Sequence, residues 1–519
     1  MGFMPHSRRD FLRMSAGTGL LLGAGGLVVA GCQPPNPEAG AQLRSSAKSP
    51  KLFEVPLPIP PVLRPSRSEG DTDYYEITQK VAKVEIIPGL TTSIWGYNGI
   101  FPGPTIDSRS GRRIVVRHHN ELPVPTTTHL HGGHTPADSD GYPLDLVMPV
   151  GGMRQSPHGH SSHRDMTPTH VSQGAKDYVY PQDQRAATLW YHDHRMDFTG
   201  PAVYRGLAGF HLLRDDTEDS LPLPKGEYEI PLMIADRSFT DSGDFFYPAA
   251  DPSGASPGVK GDYDVGVLGD VILVNGAPWP VLEVAAVRYR FRLLNASNAR
   301  RYRLKLDKGG DAPFVQIGSD GGLLKAPVRR KSITMAPAER YDVVVDFSRY
   351  RPGTEITLLN ELGDGSIGKV MKFRVTRKAS DDSTVPDRLS EFETLDPSKA
   401  VRTRDFSFER GDEHTWTING KTYEPGKIFA RPRIGDVEIW NLDIDGADHP
   451  VHLHLDQFQV LGDDERKADP GLKDTVALTA GQKTRIIVRF TGYEGRYMLH
   501  CHNLEHEDMG MMADYEVSS

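Results

Sequence analysis

The residues best equipped for chemistry lie near the C-terminal end, where His500-Cys501-His502-Asn503-Leu504-Glu505-His506 is followed by Met511. Cys501 is one of two cysteines in 519 residues, the other being Cys32. In an extended strand, residues i and i+2 share a face while i+1 takes the other. His500 and His502 therefore face one site and Cys501 a second. A thiolate, two imidazoles and a weak axial thioether are the ligands of a blue-copper electron-transfer centre. Cys501, His506 and Met511 supply three of those four from one short segment. Upstream stand three more His-x-His pairs, His129/His131, His192/His194 and His452/His454, with His449 three residues ahead of the last. Each pair presents both imidazoles to one face if extended, and imidazole suits copper. His449, at odd offset from His452 and His454, points away from that face and is free to complete the site of Cys501. A polar strand face or a satisfied buried histidine explains a lone His-x-His. Four pairs, one of them bracketing Cys501, need a metal cluster. Structural zinc sites draw on several cysteines or a short finger spacing, and neither occurs here.

These four segments resemble the four copper-binding motifs of the multicopper oxidases. Trp95-Gly96-Tyr97-Asn98-Gly99-Ile100-Phe101-Pro102-Gly103-Pro104-Thr105 is similar to that family's first-domain signature. Leu57-Pro58-Ile59-Pro60, Tyr74-Tyr75-Glu76 and the stretch from His131-Gly132-Gly133 to Asp138-Ser139-Asp140-Gly141 look most like the bacterial spore-coat laccases, near relatives of bilirubin oxidases and phenoxazinone synthases. The resemblance implies four copper ions. A type 1 ion would take His449, Cys501 and His506 with Met511 axial, Met512 being the adjacent rival. A type 2 ion would take His129 and His452. One type 3 ion would take His131, His192 and His502, the other His194, His454 and His500. Electrons from a small-molecule donor would enter singly at the type 1 site and pass through Cys501 into His500 and His502. Dioxygen would be reduced to water at the three-copper cluster. Glu507 and Asp140 align with acids that resemble the proton-relay carboxylates of spore-coat laccases. The alternative for both is a carboxylate that orients histidine ligands.

The N-terminal segment bears on compartment. Ser7-Arg8-Arg9-Asp10-Phe11-Leu12 resembles a twin-arginine export signal. The apolar run from Leu20 to Ala30 is too short to span a membrane, which takes roughly 20 residues, and reads as targeting. Val29-Ala30-Gly31-Cys32 resembles a lipoprotein cleavage box, with ordinary signal cleavage nearby as the alternative. The expectation is a protein exported to the outer face of the cytoplasmic membrane or the cell envelope. It would touch the membrane only through a lipid on Cys32 and act as a monomer. A net charge of −9 without a basic block argues against a nucleic-acid partner.

The elements that must position these residues are strands. Short β-rich runs bounded by Gly, Pro, Asn and Asp recur, among them Ile114–Arg117, Tyr289–Asn295 and Asp436–Asn441. The last two end in Asn and Asn120 closes the first, which marks them as equivalent strands of related sandwiches. The alternation predicts an all-β chain, and the resemblance specifies three cupredoxin-like Greek-key β-sandwich domains. The division expected is a signal with lipobox over 1–32, a Pro-rich arm packed on the first domain over 33–72, and domains over 73–217, 218–390 and 391–519. The middle domain carries no ligand candidate, so the cluster lies between the first and third.

Between Met148 and His170 stand Met153, His158, His160, His163 and Met166, with His134 upstream. A copper-gathering loop and a solvated Gly/Ser/Pro loop are the competing readings. His118, His119, His211 and His414 lack a partner pattern and read as structural or exposed. Three functions follow in order: a laccase-type oxidase of phenols, aromatic amines or related donors; a metallo-oxidase of Cu(I), Fe(II) or Mn(II); and a non-enzymatic copper-binding protein of the same fold.

Overall fold

The computed structural model describes residues 40–152, 167–251, 256–412, 415–462 and 470–519. The Arg8-Arg9 motif, Cys32, the 153–166 part of the histidine-rich loop and His414 lie outside these residues. Among the described residues strand dominates, and the α-helices are short segments at Thr199–Arg205, Asp216–Ser220 and Leu504–Asp508. None of these helices is long and apolar enough to cross a membrane.

The alternating runs are strands, Arg113–Asn120, Arg288–Asn295 and Val437–Ile444, and each sits at the middle of a sheet. Each pairs in parallel with a preceding strand, respectively Thr72–Val84, Glu229–Arg237 and Arg402–Arg410. Each also pairs antiparallel with a following one, respectively Ala175–Tyr180, Arg340–Asp346 and Lys483–Arg489. A second sheet closes each sandwich with a common order. In the first it runs Gly103–Arg109, Ala208–Arg214, Ala187–Asp193, Thr128–His131. In the middle one it runs Val281–Ala285, Lys369–Arg377, Glu355–Asn360, Tyr302–Leu306. In the third it runs Ile428–Ala430, Met512–Val517, Gly495–Cys501, His449–Leu453. One sandwich topology is thus repeated three times, as the family resemblance implies.

The cores follow the strand parity. Ile77, Val116 and Leu189 fill the first sandwich, Phe291, Leu304 and Phe373 the middle one, and Trp440, Ile486 and Tyr497 the third. Each fully buried side chain of this size contributes about 1.5–3 kcal/mol. Asn120 and Asn295 close their strands alike. In both, the side-chain oxygen accepts from the N–H two residues on, and the amide donates to two carbonyls. Asn441 departs from this expectation: its strand continues to Ile444 and its amide donates to Asp405 Oδ1 at 2.7 Å.

The arm also departs from expectation. Ala41–Gln42 pairs with Val267–Leu268, the Ser45 N–H donates to Asp270, and Phe53 and Leu57 donate to the Trp279 and Val281 carbonyls. These partners belong to the middle sandwich. Val62–Leu63 and Arg67–Glu69 join the first, beside Thr105–Ile106 and Thr72–Tyr74. Backbone donors leaving a Pro-rich stretch must find acceptors, and the edge of the middle sandwich supplies them first.

The repeat explains where the histidine motifs sit. Thr128–His131 and Ala187–Asp193 are antiparallel neighbours in the first sandwich, and His449–Leu453 and Gly495–Cys501 are their counterparts in the third. The same two positions in the middle sandwich, Tyr302–Leu306 and Glu355–Asn360, carry no histidine.

Candidate metal centres

The four His-x-His pairs converge. His129 stacks on His454 with ring centroids 3.9 Å apart, and His131 stacks on His452 at 3.7 Å. His194 Nε2 lies 3.4 Å from His500 Nε2, which lies 3.1 Å from His454 Nε2. His129 Nε2 lies 3.4 Å from His452 Nε2. His502 joins them with its ring 5.0 Å from His131 and 5.3 Å from His192. All eight are buried.

The outer contacts of these rings decide what their inner nitrogens can do. Nδ1 of His129, His192, His452 and His500 faces the carbonyl of Asp140, Asp193, Asp474 and Cys501, at 2.5, 2.9, 2.9 and 3.1 Å respectively. A carbonyl only accepts, so each of these nitrogens carries the proton and each Nε2 is a bare lone pair. Burial, aided by the neighbouring imidazoles, holds His129, His131, His452, His454 and His502 well below the ordinary histidine pKa, and His192 and His194 at about 3 and about 4. The bare Nε2 lone pairs of His129 and His452, 3.4 Å apart, make no hydrogen bond with each other. His131 Nδ1, His192 Nε2, His194 Nδ1 and both nitrogens of His502 are buried without a hydrogen-bond partner. A cation is the group this donor set fits, and neutral imidazole is a copper ligand.

The second convergence is on the other face of the strand carrying Cys501. Cys501 Sγ lies 3.3 Å from His449 Nδ1 and 3.6 Å from His506 Nδ1, and the two imidazole nitrogens are 3.0 Å apart. His506 Nε2 donates to the Val265 carbonyl at 2.9 Å, which leaves its Nδ1 bare toward the sulfur. The Asn503 N–H donates to Sγ at 3.4 Å. Burial pushes the Cys501 thiol well above its ordinary pKa, so a thiolate here needs a cation beside it. Met511 shares the apolar core of Cys501, whereas Met512 turns to a separate cluster with Tyr142, Leu144 and Met196. Strand parity separates the two methionines as it separates Cys501 from His500.

Asp140 touches two rings of the cluster. Its carbonyl accepts from His129, and its carboxylate faces His454 Nδ1 at 2.7 Å. Glu507 lies 3.5 Å from His194 Nδ1 and 3.3 Å from His500 Nδ1. Burial would raise the pKa of Glu507, but the imidazoles of His194, His500 and His502 outweigh it and hold the carboxyl below its ordinary range. His211 bonds Ser108 at 2.7 Å, His134 bonds Asp183 at 2.9 Å, and His118 is buried among Tyr97 and Tyr178, all away from both convergences.

Several supporting residues escape a reading of the sequence. Asp474 accepts from His131 Nε2 at 3.0 Å while its carbonyl holds His452. Behind Asp474 the buried Arg340 of the middle sandwich donates to the same carboxylate, 2.7 Å from Nη1 to Oδ1. Gly132, at φ +84°, passes so close that an added Cβ would lie 2.6 Å from Arg340 Nη2 and 2.9 Å from Asp474 Oδ2. Trp190 stacks on His192 at 4.2 Å, and Trp416 covers His506 at 3.8 Å. The middle sandwich, without a ligand of its own, thus supports both convergences through Arg340 and the Val265 carbonyl. One signal was visible in sequence: Arg340 and Asp342 interrupt an apolar strand ending in Val343-Val344-Val345, and charge at core positions calls for partners.

Three repeated sandwiches with histidine motifs at equivalent strands of the first and last define a copper oxidase, and comparison with known families agrees. Sequence models described as multicopper oxidase match residues 78–218 and 395–519, and the chain belongs to the multicopper oxidases. It is similar to a laccase of Bacillus subtilis, with 37% identity over 90% of this chain and 98% of the relative. It is also similar to a bilirubin oxidase of Albifimbria verrucaria, with 36% identity over 90% of this chain and 81% of the relative. Among solved structures, a laccase from Pediococcus acidilactici superposes with a TM-score of 0.78 at 32% identity, covering 92% of this chain and 96% of that one.

Proposed function

We propose that this chain is a laccase-type oxidase that couples one-electron oxidation of phenols, aromatic amines or related donors to the four-electron reduction of dioxygen to water. The observation that carries the reading is the strand pair His449–Leu453 and Gly495–Cys501. It sets Cys501 between His449 and His506 on one face and His500 among the clustered histidines on the other. Relatives named laccase and bilirubin oxidase support an organic donor over a metal ion.

Four copper ions fit the donor sets. His449, Cys501 and His506, with Met511 beside them, would hold one, His129 and His452 a second, His131, His192 and His502 a third, and His194, His454 and His500 a fourth. Bound copper supplies the redox chemistry, one-electron uptake at the Cys501 site and dioxygen reduction at the histidine cluster. The residues do the rest. Cys501 is covalently continuous with His500 and His502, so the shortest bonded path between the two sites covers only two adjacent residues. Val265 fixes the tautomer of His506, and the carbonyls of Asp140, Asp193, Asp474 and Cys501 fix four cluster rings, which pre-organises the inner nitrogens. Asp140 orients His129 and His454. Glu507, ionised between His194 and His500, is placed to hold and pass protons at the cluster edge. Burial of every ligand nitrogen keeps bulk water out. The Ser7–Leu12 motif supports twin-arginine export, and Cys32 supports a lipid tether outside the cytoplasmic membrane for a protein acting as a monomer.

The test is dioxygen uptake by copper-loaded protein with 2,6-dimethoxyphenol, compared with Cu(I) and with Cys501→Ser. Faster uptake with the phenol, abolished in Cys501→Ser, is the expected result. Faster uptake with Cu(I) would replace the organic donor by a metal ion. Equal inactivity of both proteins with copper bound would remove the enzyme reading altogether.

A further inference from the structure

Against the Thr199–Arg205 helix lies a cavity of about 320 Å3 lined by Trp95, Asp193, Arg195, Phe198, Arg205 and Tyr247. Its two arginines, both half-buried, are unlike the buried arginines of the chain. Arg290 pairs with Glu218 and Asp342, Arg300 with Asp236, and Arg340 with Asp474, while Arg237 donates to the carbonyls of Val203 and Tyr204. Arg195 and Arg205 instead stack on aromatic rings, with the guanidinium carbon 3.9 Å from the Phe198 centroid and 4.5 Å from that of Trp95. Stacking occupies the face of a guanidinium, whereas its five N–H donors lie in the plane. Among the described residues neither side chain donates a hydrogen bond, and no carboxylate lies within 4.0 Å of either guanidinium.

The acids of the cavity are engaged elsewhere. Asp193 accepts from the N–H groups of Thr127 at 3.0 Å and Arg195 at 3.3 Å. Asp251, also on the wall, accepts from the Ser256 N–H at 2.9 Å. Tyr247 turns its hydroxyl to Glu505 at 3.0 Å and leaves its ring to the cavity. Both residues keep partial exposure, which leaves in-plane donors open to a ligand. A planar anion meets in-plane guanidinium donors through two parallel hydrogen bonds.

We propose that this cavity binds a small aromatic carboxylate of about hydroxybenzoate size, at a site separate from the electron donor's contact beside Cys501. The carboxylate takes the in-plane N–H groups of Arg205 and Arg195, and the ring lies against Trp95 and Tyr247. The volume sits at the small end of organic-ligand pockets. Besides Thr126, Ser256 and the two engaged acids, the wall includes Val124, Pro201 and Leu207, and this apolar part suits an aromatic body better than a bare inorganic anion.

Calorimetric titration of the copper-loaded full chain with benzoate, benzamide and chloride tests the assignment. Expected are one benzoate site per chain, binding of benzamide at least tenfold weaker, and no displacement of benzoate by chloride at equal concentration. Arg205→Gln and Arg195→Gln should each weaken benzoate at least tenfold with copper content unchanged. Saturating benzoate should leave KM for 2,6-dimethoxyphenol unchanged. Equal affinity for benzoate and benzamide would overturn the proposal in the wild-type protein alone. Chloride displacing benzoate one for one would reduce the site to a simple anion site. Unaltered benzoate affinity in both arginine variants would place the ligand elsewhere.

Discussion

Asp474→Asn isolates the part of the cluster that no histidine motif announces. Asp474 is buried and serves three partners, accepting from His131 Nε2 at 3.0 Å, from Arg340 Nη1 at 2.7 Å and from the Thr475 hydroxyl at 2.9 Å. The substitution keeps the shape and the backbone carbonyl that holds His452, while it removes the charge and turns one acceptor oxygen into an NH2 donor. Arg340 is then a fully buried guanidinium whose remaining carboxylate is Asp320, 3.5 Å away and already 3.1 Å from Lys473. Removing one partner of a buried pair costs about 3–5 kcal/mol. Asp320 stays as a partial counter-charge, so a loss of about 3 kcal/mol, the lower end of that range, is expected. A second effect falls on the metal. Changing a group that orients a ligand costs about 10–100-fold in metal affinity or activity. His131 belongs to the cluster and not to the Cys501 site, so copper should leave the cluster while the thiolate absorption of the Cys501 site remains. Urea unfolding followed by tryptophan fluorescence reads the first effect, and chelator competition combined with visible and EPR spectra reads the second. A variant within about 0.5 kcal/mol of wild type, the range of an ordinary surface substitution, would refute the reasoning about Arg340. Parallel loss of copper from both sites would refute the assignment of Asp474 to the cluster alone.

Trp190→Ala removes a buried side chain stacked on His192 at 4.2 Å; a stability loss of about 3–5 kcal/mol and lower cluster copper are expected, measurable by urea unfolding and metal analysis. Gly132→Ala meets both a φ of +84° and contacts under 3.0 Å, so it should destabilise by more than about 1 kcal/mol and lower copper retention. Met511→Leu should raise the reduction potential of the Cys501 site, because a thioether donor that favours the oxidised ion is lost, while Met512→Leu leaves the potential unchanged in the same redox titration. Glu229 pairs with Arg214, Arg290 and Arg292, and although burial alone would raise its carboxyl, these arginines lower it from 4.5 to about 2. A depressed folded-state pKa gives stability that is present above pH 4.5 and lost as pH falls toward 2. At 1.36 kcal/mol per unit this is about 3 kcal/mol, and Glu229→Gln should flatten the wild-type decline in urea midpoint between pH 5 and pH 3 by a corresponding share.

Much of the architecture was legible because it follows period-2 patterning. The alternation of Ile114–Arg117 and Tyr289–Asn295 marked equivalent strands, and the odd offsets of His449 and Cys501 from the paired histidines separated two convergences in the sequence alone. What could not be read depends on tertiary meetings between distant segments. Nothing local to Val265 says that its carbonyl meets His506, since any residue offers the same group. Asp474 looks like one acid in the Leu472-Lys473-Asp474-Thr475 run, and its role appears only when the middle sandwich brings Arg340 to it. Asn441 shows the opposite failure, a residue type that matched its counterparts while its strand ran on to Ile444. The arm misled for a related reason: proline and charge announce an extended segment but not which sheet edge receives it.

The most direct measurement of the central claim is the copper content of wild type and Cys501→Ser, determined together with their EPR spectra. The account predicts four ions per chain in wild type. In Cys501→Ser it predicts loss of the intense visible band and of one ion or its characteristic signal, with the three ions of the histidine cluster retained. Fewer than four ions in a fully loaded wild type, or loss of the whole cluster in Cys501→Ser with the fold intact, would contradict two separate sites joined by one strand.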